Sequence, residues 1–116
     1  MAQNKKSLFS NRQLDLAEFA RCLSHPARIA IVTHLQEKGQ ATCGQIVEEL
    51  PLAQATISQH LTVLRHGGLV IARACGPSIC YSLNAERIRT FCAAFQEALG
   101  KTPAEPEPDP TAHCAS

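Results

Sequence analysis

The stretch Leu52-Ala53-Gln54-Ala55-Thr56-Ile57-Ser58-Gln59-His60-Leu61-Thr62-Val63-Leu64-Arg65-His66-Gly67-Gly68-Leu69-Val70 decides the architecture. Ile57, Leu61 and Leu64 recur at i, i+4 and i+7, which predicts one helix from about Ala53 to His66 with a single apolar side. Gly67-Gly68 ends it. The opposite side offers Gln54, Thr56, Ser58, Gln59, Thr62 and Arg65, all hydrogen-bonding residues without one carboxylate. An ordinary solvated face is rich in Lys and Glu. A face of neutral donors and acceptors with one Arg suits the edges of base pairs, where Gln pairs with adenine, Ser and Thr reach bases or phosphates, and Arg takes guanine or phosphate.

Working outward from this helix, Thr42-Cys43-Gly44-Gln45 has the form of a capping box and opens a short helix to Leu50, with Pro51-Leu52 as the turn between the two. Upstream, Leu16, Phe19, Ala20 and Leu23 form one stripe of a helix from Asn11 to about Leu23. Ser24-His25-Pro26 breaks the chain and restarts it as a helix to about Lys38, with Ala27, Ala30, Ile31 and Leu35 inward. Downstream the period changes. Leu69–Arg73 and Ile79–Leu83 read as two strands around a Gly76-Pro77-Ser78 turn, and Arg73 is placed to meet the DNA backbone or minor groove. Asn84 caps a last helix to about Leu99, striped by Ile88, Phe91, Cys92, Phe95 and Leu99. The predicted fold is mostly α with a small β-hairpin, in the order α-α-α-α-β-β-α: a winged helix-turn-helix over 11–100. An N-terminal arm (1–10) precedes it, and a disordered Pro-rich, acidic tail (101–116) follows.

The composition agrees with one small domain. The chain has 116 residues, of which 45% are hydrophobic and 18% charged, and no run approaches the ~18 apolar residues of a membrane span. A cytoplasmic, non-membrane protein is expected. Aromatics are only 4%, so the core is aliphatic and thin, which favours completion by a second subunit. The net charge of +1 hides a pattern: residues 51–85 contain Arg65, Arg73 and no acid, as a surface facing a polyanion requires. No nucleophile–base pairing or phosphate loop appears, so an enzyme is not expected.

These residues resemble the ArsR/SmtB family of bacterial metalloregulatory repressors, through Leu23-Ser24-His25-Pro26-Ala27-Arg28-Ile29 and the Leu52–Val70 block together with the hairpin spacing. The resemblance spans roughly residues 14–95, and within it His60 resembles a common residue of DNA-recognition helices. It implies a homodimer that represses its own operon on double-stranded DNA and releases it when an inducer binds, with no cofactor needed for DNA binding itself. It also implies dimerisation through the first and last helices, for which Leu16, Phe19, Phe91, Cys92, Phe95 and Leu99 are the candidate residues. A two-fold dimer would set its recognition helices ~34 Å apart on an inverted-repeat operator. The wing turn carries no Lys or Arg, unlike that of many family members, so a smaller salt slope is expected.

The family's usual ligand sets do not carry over. Cys43 stands alone between Thr42 and Gly44 where a Cys-x-Cys pair would be, and residues 85–101 lack the Asp and His of the zinc-type site. A zinc or nickel sensor is therefore not expected. What remains is a thiol-rich chain, with cysteines at 22, 43, 75, 80, 92 and 114, and thiolates select soft ions and metalloids. Cys75 and Cys80 flank the turn and are expected to face each other. Cys43, whose thiol the helix dipole should acidify, would complete a three-thiolate site for arsenite, antimonite or another thiophilic ion. Simple packing of these thiols is the competing account. Core packing is expected of Cys22 and Cys92, with a thiol switch at the dimer interface as the other possibility, and Cys114 beside His113 as a mobile ligand or an inert residue. Two further functional classes stay open: a repressor triggered by thiol oxidation or persulfidation, and a winged helix serving only as a protein-interaction module.

Overall fold

A computed structural model describes residues 8–101. Residues 1–7 of the arm expected over 1–10 and residues 102–116 of the tail expected over 101–116, Cys114 among them, lie outside the described residues. Five helices and three strands follow in the order α1 (Asn11–Cys22), α2 (Pro26–Lys38), β1 (Gln40–Thr42), α3 (Cys43–Glu49), α4 (Gln54–His66), β2 (Val70–Cys75), β3 (Ser78–Leu83) and α5 (Ala85–Leu99). This is the α+β winged helix-turn-helix that the hydrophobic periodicity predicts, with one strand more.

Four of the five helices, all but α4, begin where a side chain can satisfy an unpaired N–H group. At α1 the Gln13 amide donates to Ser10 Oγ (3.1 Å) and the Ser10 amide to Gln13 Oε1 (3.0 Å). Thr42 and Gln45 make the same reciprocal pair at α3, at 3.1 and 2.9 Å. His25 caps α2, its Nδ1 accepting from the Ala27 amide at 3.0 Å, with Pro26 in the first turn. Asn84 caps α5.

The additional strand changes the sheet from a hairpin to three strands in the order β1-β3-β2. Thr42 pairs with Cys80, so the segment entering α3 lies against the inner strand of the wing. The hairpin is also tighter than expected. Ser78 is paired with Cys75, which leaves a two-residue Gly76-Pro77 loop. Gly76 has φ 62°, the positive value that a type II′ turn needs at its first position and that glycine adopts freely. The shorter loop shifts the register: Cys80 lies opposite Arg73, and Cys75 opposite Ser78. Cys75 and Cys80 share one face of the hairpin as diagonal neighbours instead of facing each other directly.

The core gathers Ile31 and Leu35 of α2, Ile46 of α3, Ile57, Leu61 and Leu64 of α4, and Leu69 and Val70. It is aliphatic, as the composition requires. A second packing zone joins α1 to α5, where Phe19 stacks on Phe91 (ring centroids 4.7 Å, planes 11° apart) and meets Phe95 at 5.7 Å. Leu16 and Phe19 are thereby covered within the chain, whereas Cys92 and Leu99 are exposed. Cys22 packs in the core as expected; Cys92 does not, because the outer side of α5 has nothing over it in a single chain.

Leu61→Ala removes a side chain only 1% exposed and is expected to cost ~2–5 kcal/mol; Thr42→Ala, which removes a cap, is expected to cost ~1 kcal/mol. Urea unfolding checks both: the midpoint falls in this order while the m-value holds.

Candidate nucleic-acid interface

Burying Ile57, Leu61 and Leu64 fixes the rotation of α4 about its own axis. Gln54, Ser58, Gln59, Thr62 and Arg65 are consequently exposed, and Thr56 and His60 half-buried at the margins. The Thr62 hydroxyl donates to the Ser58 carbonyl at 3.0 Å, keeping its lone pairs for an incoming donor. Among the described residues, the side chains of Gln54, Ser58, Gln59 and Arg65 make no hydrogen bond to the protein. Their donors and acceptors are solvated and available, which is the state that direct readout of base edges requires. Arg73 is exposed on β2, on a different element from this helix.

His60 belongs to a different constellation. Its Nδ1 lies 3.1 Å from an Arg28 terminal nitrogen, and its ring lies 4.4 Å from that of His25. A guanidinium has only donors, so Nδ1 must accept and the imidazole proton must reside on Nε2. Burial first, then the charges of His25 and Arg28, holds the His60 imidazole below the usual histidine range. Arg28 also donates through Nε to the Cys22 carbonyl at 2.7 Å, at the end of α1. One arginine thus ties α1, α2 and α4 together. Arg28 lies inside the Leu23–Ile29 block, but its role depends on elements far apart in sequence, and only a lone Arg on a helix margin signalled it.

The thiols divide. Cys75 is exposed and Cys80 half-buried on one face of the wing. The Cys75 thiol beside it, then lost hydration, pushes the Cys80 thiol up. Cys43 packs against the core, and burial pushes its thiol up as well, the reverse of the dipole effect expected. A helix of only seven residues supplies a weak field, and desolvation prevails. Among the described residues no three His, Cys, Asp or Glu side chains are grouped to hold a metal. The Cys43–Cys75–Cys80 triad is therefore not assembled. No described helix is long and apolar enough to cross a membrane.

Comparison with known proteins places this geometry. A family model described as a helix-turn-helix domain matches residues 23–73. An uncharacterized HTH-type transcriptional regulator of Mycobacterium tuberculosis is 35% identical over 85 residues, covering 73% of this chain and 75% of the relative. Its crystal structure superposes with a TM-score of 0.59 at 36% identity, over 72% and 84% of the two chains. The biofilm growth-associated repressor of Xylella fastidiosa is 36% identical over 95 residues, 75% of this chain and 82% of that one. The crystal structure of a possible transcriptional regulator for arsenical resistance is similar with a TM-score of 0.61 at 29% identity, over 67% and 80%. These relatives are regulators of transcription, not enzymes.

Two predictions follow from the geometry of α4. Gln59→Ala should lose ~1–3 kcal/mol of preference between a selected duplex and its mismatched versions, whereas Arg73→Ala weakens all duplexes alike; fluorescence anisotropy on both DNAs separates the two. Because the folded chain keeps His60 less basic than the unfolded one, the unfolded state takes up a proton first as the medium is acidified. The His60 contribution is thus fully present above the ordinary histidine pKa and declines as pH falls through it toward the lowered folded value. His60→Gln should flatten that acid-side decline in thermal melts.

Proposed function

The chain belongs to the ArsR/SmtB family of winged-helix transcriptional regulators, and from that premise we propose that it acts as a homodimeric repressor. It binds an inverted-repeat operator through α4 and leaves the DNA when a thiophilic inducer engages its wing cysteines. The carrying observation is the outward side of α4, polar and free of carboxylates, on which the side chains of Gln54, Ser58, Gln59 and Arg65 make no hydrogen bond among the described residues. Two such helices on a two-fold axis would enter successive major grooves of one duplex face.

The outer flank of α1 and α5 supports the dimer. Ala17, Ala20, Phe95, Ala98 and Leu99 line an apolar groove there, and Leu99 is 73% exposed. α5 buries no residue completely within its own chain, which suits a helix whose second half is covered by another subunit.

The wing pair Cys75 and Cys80 supports the inducer. A disulfide wants Cα atoms roughly 4.4–6.8 Å apart, less than the ~7–8 Å typical of a diagonal pair. An interposed soft atom relaxes that demand. Arsenious or antimonous acid would exchange two hydroxyls for two sulfurs, each thiol proton leaving as water, with no change of oxidation state. The arsenical-resistance regulator among the structural neighbours is consistent with this class of inducer.

An operator-release titration under strong reductant tests the proposal, using arsenite, antimonite, cadmium, zinc and, without reductant, peroxide. Release by the metalloids, lost in Cys75→Ser and in Cys80→Ser but kept in Cys43→Ser, is the expected pattern. Release by peroxide alone transfers the trigger to thiol oxidation. A chain that sediments as a monomer at micromolar concentration, or prefers no duplex at ~150 mM salt, overturns the repressor itself in favour of a protein-interaction role.

A further inference from the structure

Arg87 lies in the first turn of α5, its backbone N–H donating to Asn84 Oδ1 at 3.3 Å. Its side chain bridges α5 and the end of α4. Nε donates to the Gly67 carbonyl at 3.2 Å, and the guanidinium lies over the Phe91 ring, 5.0 Å from its centroid. Gly67 is the C-cap of α4, where carbonyls lack partners within the helix and the negative end of the dipole attracts a cation. Phe91 is the ring that stacks on Phe19. An unbroken set of contacts therefore runs from the α1–α5 layer through Arg87 to the last turn of α4. The next residue is shaped around the same side chain: Gly68 has φ 81°, and a Cβ there would stand 2.7 Å from Arg87 Nε.

We propose that Arg87 is a positioning residue for operator recognition, fixing the C-terminal end of α4 to the α1–α5 layer so that the outward residues of α4 meet the duplex at one set angle. Arg87 touches no base in this scheme. It acts through the Gly67 carbonyl, and its loss lets the end of α4 fray and pivot. The inference rests on α4 being the helix that reads DNA, with α1 and α5 as the dimerising layer. A cation that merely adds to the electrostatic field would raise affinity for every duplex equally; a positioning cation raises the ratio of specific to random binding.

The test uses the full chain and a duplex selected by the wild type from a randomised pool. Arg87→Gln should bind that duplex about tenfold more weakly, the scale of one lost charge-assisted hydrogen bond, with random-duplex affinity nearly unchanged and the dimer intact by sedimentation. Arg87→Lys, which keeps a cation for the carbonyl but not the planar stack, should fall between. Backbone amides at residues 65–69 should exchange faster in Arg87→Gln, while those of Ile57 and Leu61 do not. Equal weakening on selected and random DNA, unaltered exchange at the end of α4, or dissociation of the dimer overturns the proposal. A wild type that selects no duplex instead removes the DNA-reading role of α4 and this inference with it, so the two failures are distinguishable.

Discussion

The burial of Ile57, Leu61 and Leu64 against α2, α3 and the start of β2 is the constraint on which the rest depends. All three are at most 1% exposed, so α4 cannot rotate about its axis without opening a cavity in a close-packed aliphatic core. With no Trp and few aromatics, that core holds its shape by interdigitated branched side chains. The chemistry of the outward face is thus set by packing on the inward one. Gln54, Ser58, Gln59 and Arg65 are available to a ligand because their helical neighbours are not.

This constraint explains which features were legible in the sequence. The helices announce themselves through apolar spacing and through the caps Thr42 and Asn84, both local signals. β1 does not: Gln40-Ala41-Thr42 is too short to show alternation, and it forms only because β3, some forty residues on, supplies its partner. The exposed donors of α4 could be read as a DNA-contacting face from one helix alone. The Arg28–His60 contact could not, since it joins residues whose proximity depends on the whole α1–α2–α4 arrangement. It turns His60 from a simple base-reading candidate into a residue held from behind by an arginine.

The cysteines illustrate how one residue of loop length alters chemistry. A three-residue turn would have set Cys75 and Cys80 in a different register; the Gly76-Pro77 turn makes them diagonal. Cys43, expected to be acidified by its helix, is instead governed by the apolar surroundings that the fold gives it. Thiol identity was evident from sequence. Thiol reactivity is a property of burial and neighbours, and those come only with the tertiary arrangement.

Thr42 holds two positions at once. It is the last residue of β1, paired across from Cys80, and it is also the N-cap that starts α3. The wing and the helix-turn-helix are therefore not independent appendages: they share a hinge pin. A chemical change that tugs on the inner wing strand is transmitted, one rung of backbone away, to the first turn of the helix supporting α4. Sulfur chemistry on the wing strands therefore has a short mechanical path to α3 and, through it, to the outward side of α4.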